Sequence, residues 1–273
     1  MVLRRFSMDN RPIGVFDSGL GGLTSVQELH RQLPEERVIY LGDTARTPYG
    51  SKSPETIVKF AKQNVDYLVA RNTKMIIIAC NTVTAVALDA LRKRYPGTPI
   101  IGVIEPTVKK VVGDGCKKVG VIATKATIGS DVYGKELRAL NPDIEVYSEA
   151  CPAIVPLIED GLTDTEIMRL TVSHYMDDFV KEGGFDNLIL GCTHYPLVTK
   201  HIRSLYPNLH MYSSSAEVIR EAAEILRERD MLASGSEFID RYYASDMSDN
   251  FIAMTDRLFA DTDFKIHLLK LEE

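Results

Sequence analysis

Two cysteines in matched settings carry the strongest chemical signal in this chain. Cys80 ends the run Met75-Ile-Ile-Ile-Ala-Cys80 and precedes Asn81-Thr82; Cys192 ends Asn187-Leu-Ile-Leu-Gly-Cys192 and precedes Thr193-His194. Each closes a short apolar run of strand type and follows a small residue. An amphipathic stretch then runs on to Leu91-Arg-Lys-Arg-Tyr-Pro96 or to Ile202-Arg-Ser-Leu-Tyr-Pro207. One such cysteine reads most simply as a small buried hydrophobe. Two of them, each set before a helix start, predict paired thiols serving one cleft. A helix N-terminus favours the thiolate and lowers the thiol pKa from about 8.5, giving a base usable near neutral pH. Cys116, in a Gly-Asp-Gly-Cys-Lys-Lys loop, and Cys151, before Pro152, lack that setting and read as structural.

Other polar residues fall beside these thiols. His194 stands two positions after Cys192, so on a tight turn its ring could exchange a proton with the sulfur; a histidine bonded to backbone is the plainer reading. A Cys-x-His pair could also be half a metal site, but no second tight cluster exists, and no metal is expected. Asp17-Ser-Gly-Leu-Gly-Gly22 follows the first apolar run, and its glycines let backbone N–H groups turn towards an anion. It is not the dinucleotide fingerprint, because Thr24 stands where the third glycine belongs. Asp17 at that strand end could take a proton from a thiol or face a substrate ammonium; helix capping is the plainer role for Asp17-Ser18. Asp43, Thr44, Pro48-Tyr49-Gly50, Asn81, Thr82, Thr124, Thr127 and Thr193 fall at loop positions on the same rim. Hydroxyls and N–H groups at helix starts suit carboxylates. Glu159, near the end of a short helical pattern, reads as a solvated surface residue.

These residues need a frame. Strand-like runs are predicted at Ile13–Asp17, Val38–Leu41, Met75–Ala79, Ile100–Ile104, Val119–Ala123, Ile144–Ser148, Leu188–Gly191 and His210–Tyr212. Amphipathic segments such as Ser53–Arg71 and Thr82–Tyr95 alternate with them. That alternation predicts an α/β protein with parallel sheet covered by helices on both faces. A weak repeat relates Ile13-Gly-Val-Phe-Asp-Ser18 to Val119-Gly-Val-Ile-Ala-Thr124. Ser18 precedes Cys80 by 62 positions (18 to 80), and Thr124 precedes Cys192 by 68 (124 to 192). Two similar Rossmann-like or flavodoxin-like αβα units with pseudo-twofold symmetry would place both cysteines in one crevice, beyond the carboxyl ends of their strands. The expected division is 1–104 plus 215–273 for one unit and 105–214 for the other. The tail from Ser213 reads as mostly helical, interrupted by a strand-like Glu237–Tyr243.

Totals narrow the function classes. The chain has 273 residues, 32 Lys and Arg against 38 Asp and Glu, and a net charge of −6. That balance argues against broad phosphate-backbone binding, so nucleic acid is an improbable partner. No apolar run reaches the ~18 residues that span a bilayer, and residues 1–12 have no apolar core of a secretory signal. Four separated cysteines without a Cys-x-x-Cys favour a reducing cytoplasm over a disulfide framework.

Five motifs, taken together and in order, resemble bacterial glutamate racemase of the aspartate/glutamate racemase superfamily. They are Val15-Phe-Asp-Ser-Gly-Leu-Gly-Gly-Leu23, Gly42-Asp-Thr-Ala-Arg-Thr-Pro-Tyr-Gly50, Ala79-Cys-Asn-Thr82, Cys151-Pro-Ala-Ile-Val-Pro-Leu157 and Leu190-Gly-Cys-Thr-His-Tyr-Pro-Leu197. The resemblance runs from about residue 12 to 225. One departure is Ser213-Ser-Ser215, where related chains often have an Asp-Ser pair. The resemblance implies cofactor-independent interconversion of L- and D-glutamate for peptidoglycan synthesis, two α/β domains around the site, and a homodimer. It makes Cys80 and Cys192 the acid/base thiols, assisted by Asp17 and His194 respectively, with supporting acids at Asp43 and Glu159. It gives Ser18, Pro48, Tyr49, Gly50, Asn81, Thr82, Thr124, Thr127 and Thr193 to substrate binding. Three other readings compete with this one. One is a racemase of aspartate or another acidic amino acid; one is a pyridoxal-dependent enzyme using Lys125; one is a non-catalytic binding module.

Overall fold

The computed structural model describes residues 8–235, 239–259 and 264–270. The chain begins with β1 (Ile13–Asp17), α1 (Leu23–Gln32), β2 (Val38–Gly42), α2 (Pro54–Val69), β3 (Met75–Ile78), α3 (Asn81–Arg94) and β4 (Ile100–Gly102). A second series follows: α4 (Ile104–Gly113), β5 (Lys118–Ala123), α5 (Lys125–Ser130), α6 (Val132–Leu140), β6 (Glu145–Ala150), α7 (Ile154–Glu159), α8 (Glu166–Gly183), β7 (Asn187–Gly191), α9 (Thr199–Leu205) and β8 (His210–Ser213). The chain closes with α10 (Ser214–Glu228), β9 (Arg241–Ala244), α11 (Asp249–Leu258) and β10 (Ile266–Leu268). Among the described residues, no helix is long and apolar enough to cross a membrane.

All strand pairs are parallel and form two sheets, ordered β10-β9-β2-β1-β3-β4 and β6-β5-β7-β8. The four-strand order β2-β1-β3-β4 repeats as β6-β5-β7-β8. This is the flavodoxin-like winding, whose switch point lies between the first and third strands. Ser18 follows β1 and Cys80 follows β3; Thr124 follows β5 and Cys192 follows β7. The repeat seen in the sequence is therefore a repeat of switch points.

Alternation explains why the strands read as continuous apolar runs. Ile13, Val15, Met75, Ile77, Val119, Val121 and Ile189 belong to one buried cluster, with α1, α4, α6 and α10 supplying the helical side. Phe16, Ile76 and Ile78 face a second cluster with α2 and α3, and Ile122, Leu188 and Leu190 a third with α7, α8 and α9. A parallel sheet covered on both faces leaves no polar alternation to see. Cys80 continues the parity of Ile76 and Ile78, and Cys192 that of Leu188 and Leu190. Both thiols thus emerge on equivalent sides of equivalent strands.

Three boundaries differ from expectation. Ile104 reads as strand in the sequence but begins α4, because the apolar run Ile100–Ile104 crosses the strand–helix junction without a polar break. The tail holds more sheet than expected: β9 pairs with β2, and β10 with β9. Of the predicted Glu237–Tyr243 strand, Glu237 and Phe238 lie outside the described residues, and β9 starts at Arg241.

Candidate active site

A cavity opens where the carboxyl ends of the two sheets meet. Its lining includes Ser18, Pro48, Tyr49, Gly50, Cys80, Asn81 and Thr82 on one side and Thr124, Cys192, Thr193 and His194 on the other. These residues enclose about 70 Å³, room for roughly five or six water-sized groups at ~10–15 Å³ each. Close approach of backbone seals the walls. A Cβ at Gly21 would stand 2.4 Å from Thr193 Oγ1 and 2.6 Å from His194 Nδ1, and one at Gly50 would stand 2.6 Å from Thr124 Cβ. Glycine at both points lets the two units touch.

The thiols enter this cavity in unequal ways. Cys80 is the N-cap of α3, and its sulfur lies 3.4 Å from Ser18 Oγ, the acceptor of its hydrogen bond. The expected lowering of its pKa is not found. Burial, with the negative charge of Asp17 added, pushes the thiol up to about 12 despite the hydrogen bond to Ser18. Desolvation outweighs the helix terminus here. Cys192 does not begin a helix at all. Its chain first forms a 3-10 turn at Tyr195–Val198, with Pro196 in it, and α9 starts only at Thr199. Its partner is an imidazole instead, with Sγ 3.8 Å from His194 Nδ1.

His194 Nε2 in turn meets Glu159 Oε1 at 2.6 Å. The solvated surface role read for Glu159 is thereby corrected: its carboxylate is 22% exposed and holds the buried ring from behind. Burial alone would lower His194, but its hydrogen bonds to Cys192 and Glu159, with the charge of Glu159, raise it well above the ordinary value. Burial would raise Glu159, and the hydrogen bond and charge of His194 more than offset this and leave it lowered.

His194 and Glu159 thus form an imidazolium–carboxylate pair whose contribution to stability has a defined pH window. The raised histidine contributes stability in full below about 6.5, and that stability is lost as pH rises through the raised folded value. The lowered glutamate contributes above about 4.5, and its share is lost as pH falls through the lowered folded value. Glu159→Gln is expected to cost roughly 2 kcal/mol between about pH 4.5 and 6.5, below the ~3–5 of a fully buried pair because Glu159 is partly exposed. Thermal melts of both proteins between about pH 3.5 and 10 should show the gap shrinking on either side of that window. A gap that is constant with pH contradicts the pair.

Asp17 and Asp43 lie behind the lining, not in it. Asp17 is fully buried. Its Oδ2 accepts from the N–H groups of Gly19 (3.1 Å) and Gly22 (3.0 Å), and its Oδ1 accepts from Thr193 Oγ1 at 3.3 Å. It makes no hydrogen bond to Cys80, the thiol it was expected to assist, and reaches the opposite wall instead. Burial raises its carboxyl above the ordinary range even though His194 and the two N–H groups pull it down. Asp43 is enclosed by Arg46 Nε (2.7 Å), Ser245 Oγ (2.8 Å), Asn64 and the Tyr49 hydroxyl. It anchors Tyr49 from outside the cavity.

Hydroxyls bridge the two walls. Thr82 Oγ1 stands 2.9 Å from Thr124 Oγ1, and Thr127 Oγ1 stands 3.1 Å from Thr124 and 3.4 Å from Thr82. Thr127 sits one step behind the lining, while Thr124 caps α5. Such a cluster can accept and donate, which suits a carboxylate. Sequence reasoning passed over Thr47, Cys151 and Val155, which also line the cavity. Thr47 Oγ1 is buried without a hydrogen-bond partner. Its signal was its place beside Pro48 and Tyr49. Cys151, read as structural, is buried against the same space. Lys125 borders the cavity but is exposed, at the first turn of α5. Among the described residues, no group of three or more His, Cys, Asp or Glu side chains is arranged to hold a metal ion.

Known proteins resemble this chain in sequence and in fold. The profile of the Asp/Glu/Hydantoin racemase family matches residues 13–230. The chain is 41% identical over 265 residues to a glutamate racemase from Geobacter metallireducens, covering 96% of this chain and 97% of that one. It is 44% identical over 244 residues to a glutamate racemase from Sulfurihydrogenibium sp., covering 88% and 93%. The crystal structure of glutamate racemase from Francisella tularensis in complex with D-glutamate superposes with a TM-score of 0.90, at 38% identity, over 97% of this chain and 99% of that chain.

Proposed function

The chain belongs to the Asp/Glu/Hydantoin racemase family, and from that premise we propose that it interconverts L- and D-glutamate without a cofactor. The observation that carries this reading is the placement of Cys80 and Cys192 on the two walls of one small, hydroxyl-lined cavity. Inversion of a stereocentre needs a base on one face and an acid on the other. One thiolate removes the α-proton, the opposite thiol delivers another, and the roles exchange for the reverse reaction.

Cys80 needs help to become a base, because burial holds it as a thiol. A substrate ammonium brought beside it supplies the opposite charge that favours the thiolate. His194 and Glu159 manage the proton at Cys192. The carbanion is stabilised at the α-carboxylate by Asn81, Thr82, Thr124 and Thr193 with nearby N–H groups, at roughly 3–4 kcal/mol per well-placed donor by analogy with oxyanion holes. Ser18, Pro48, Tyr49 and Gly50 complete the binding surface, with Thr127, Asp17 and Asp43 holding it from behind. On this reading residues 1–104 with 215–273, and 105–214, are the two domains, with the substrate held between them. The product would supply D-glutamate to peptidoglycan synthesis in the cytoplasm, from a homodimer.

Circular dichroism of glutamate solutions tests this. Purified protein should erase the signal of either enantiomer with no added pyridoxal phosphate and after borohydride treatment. Aspartate, one methylene shorter, should turn over roughly 10-fold or more slowly. Faster aspartate turnover would transfer the reading to that amino acid, and no turnover of either would remove it.

A further inference from the structure

Tyr133 lies on α6, outside the cavity lining, and touches both segments that carry the thiols. Its hydroxyl donates to Asn81 Oδ1 at 2.6 Å, and Asn81 directly follows Cys80. The edge of its ring lies 3.3 Å from the point a Cβ would occupy at Gly191, which directly precedes Cys192. The side chain is 3% exposed. Burial pushes its phenol far above the ordinary value, so it remains an O–H donor at any working pH. That donor fixes the Asn81 amide, with Oδ1 towards Tyr133 and Nδ2 towards Ser214 Oγ at 3.2 Å. One N–H of Nδ2 is left for a ligand.

We propose that Tyr133 is a positioning residue, a strut that sets the spacing of Cys80 and Cys192 and holds Asn81 in its working orientation. The proposal rests on the racemase reading above. Inversion between two thiols requires both sulfurs in near-attack geometry on opposite faces of one carbon, about 3–3.5 Å from the reacting atoms. Each sulfur sits at a strand end in a different sheet, so their separation depends on whatever spans the two sheets. A planar ring with two rotatable bonds, whose Cε2 edge faces Gly191 while the hydroxyl on the adjacent Cζ is hydrogen-bonded to Asn81, is a stiff link between the two segments. The missing Cβ at Gly191 gives it room.

Tyr133→Phe keeps the ring against Gly191 and removes only the hydroxyl, so the fold should survive; a thermal melt checks that it does. The expected result is a kcat lowered roughly 10- to 100-fold, the scale of a misplacement of about 1 Å, with KM changed less than about 3-fold and glutamate bound normally by calorimetry. The loss should also vanish in an Asn81→Ala background, since the hydroxyl acts through that amide. An unchanged kcat, weakened glutamate binding, or losses that multiply in the double variant would overturn the strut. Wild-type protein assayed alongside separates the two ideas: if it does not racemise glutamate, the functional reading fails, whatever Tyr133 does.

Discussion

Cys80→Ala and Cys192→Ala are each expected to lower kcat/KM for glutamate racemisation by about 10²–10⁴-fold, the range that a positioned acid or base supplies. The loss must be the same in both directions. Enantiomers have equal free energy, so the ratio of the two kcat/KM values is pinned at one for every variant, however lopsided its active site. Only the division between kcat and KM can differ, and there the unequal settings should show. Cys80 has Ser18 at 3.4 Å, while Cys192 has the His194–Glu159 pair behind it. The double variant should be little worse than either single one, because the two thiols act as a unit. Stability should change by less than about 1 kcal/mol, since each side chain borders a cavity. Initial rates in both directions, with thermal melts as control, check all of this. A single-cysteine variant with full activity would remove the two-thiol reading.

Lys74→Met should give the largest loss of stability, about 3–5 kcal/mol, through a buried carboxylate left without its cation. Lys74 is fully buried, pairs with Glu36 Oε2 at 2.6 Å, and donates to the carbonyls of Asp9 and Met231, both at 2.7 Å. Glu36 Oε1 also accepts from Ala233 N at 2.8 Å. The knot ties the start of β3 to the chain entering β1 and to the chain leaving α10. Lys74→Met combined with Glu36→Leu should recover most of the loss, because an apolar pair of similar volume carries no unpaired charge. Urea unfolding of the three proteins measures it. Lys74 stands six residues before Cys80, about 15–20 Å along an extended strand, so the folded variant should keep its kcat. Equal stability of wild type and Lys74→Met would show that the knot contributes nothing.

The knot also marks a limit of sequence reading. Lys74 sits at the junction of a polar loop and an apolar strand, where a solvated lysine is the default, and its partner lies 38 positions earlier (36 to 74). Glu159 is a similar case. Its own neighbours suggest surface, and only the family resemblance pointed to a supporting role; the reason is His194, 35 positions later. By contrast, the strands were legible because two-sided burial makes each an apolar run, and the paired switch points were legible because Ser18, Cys80, Thr124 and Cys192 end such runs. Side-chain direction was not legible. Asp17 ends an apolar strand and Asp43 directly follows one, and neither residue's neighbours show that it sits behind the cavity. The helix-terminus argument for the thiols failed for two separate reasons: burial dominates at Cys80, and Tyr195-Pro196 delays the helix after Cys192. Edge strand β10 was missed because Lys265-Ile-His-Leu268 is short and its outer residues stay exposed.

Proton bookkeeping in deuterated water tests two-thiol inversion most directly. Wild-type protein is given one enantiomer of protonated glutamate and stopped early in the reaction, and both enantiomers are then analysed for α-deuterium. Delivery from the opposite thiol predicts inverted product carrying solvent deuterium from the first turnovers, while the remaining substrate keeps its proton. Inverted product that retains the substrate's own proton would mean that one group carries it from face to face, and would contradict a role for two thiols on opposite walls.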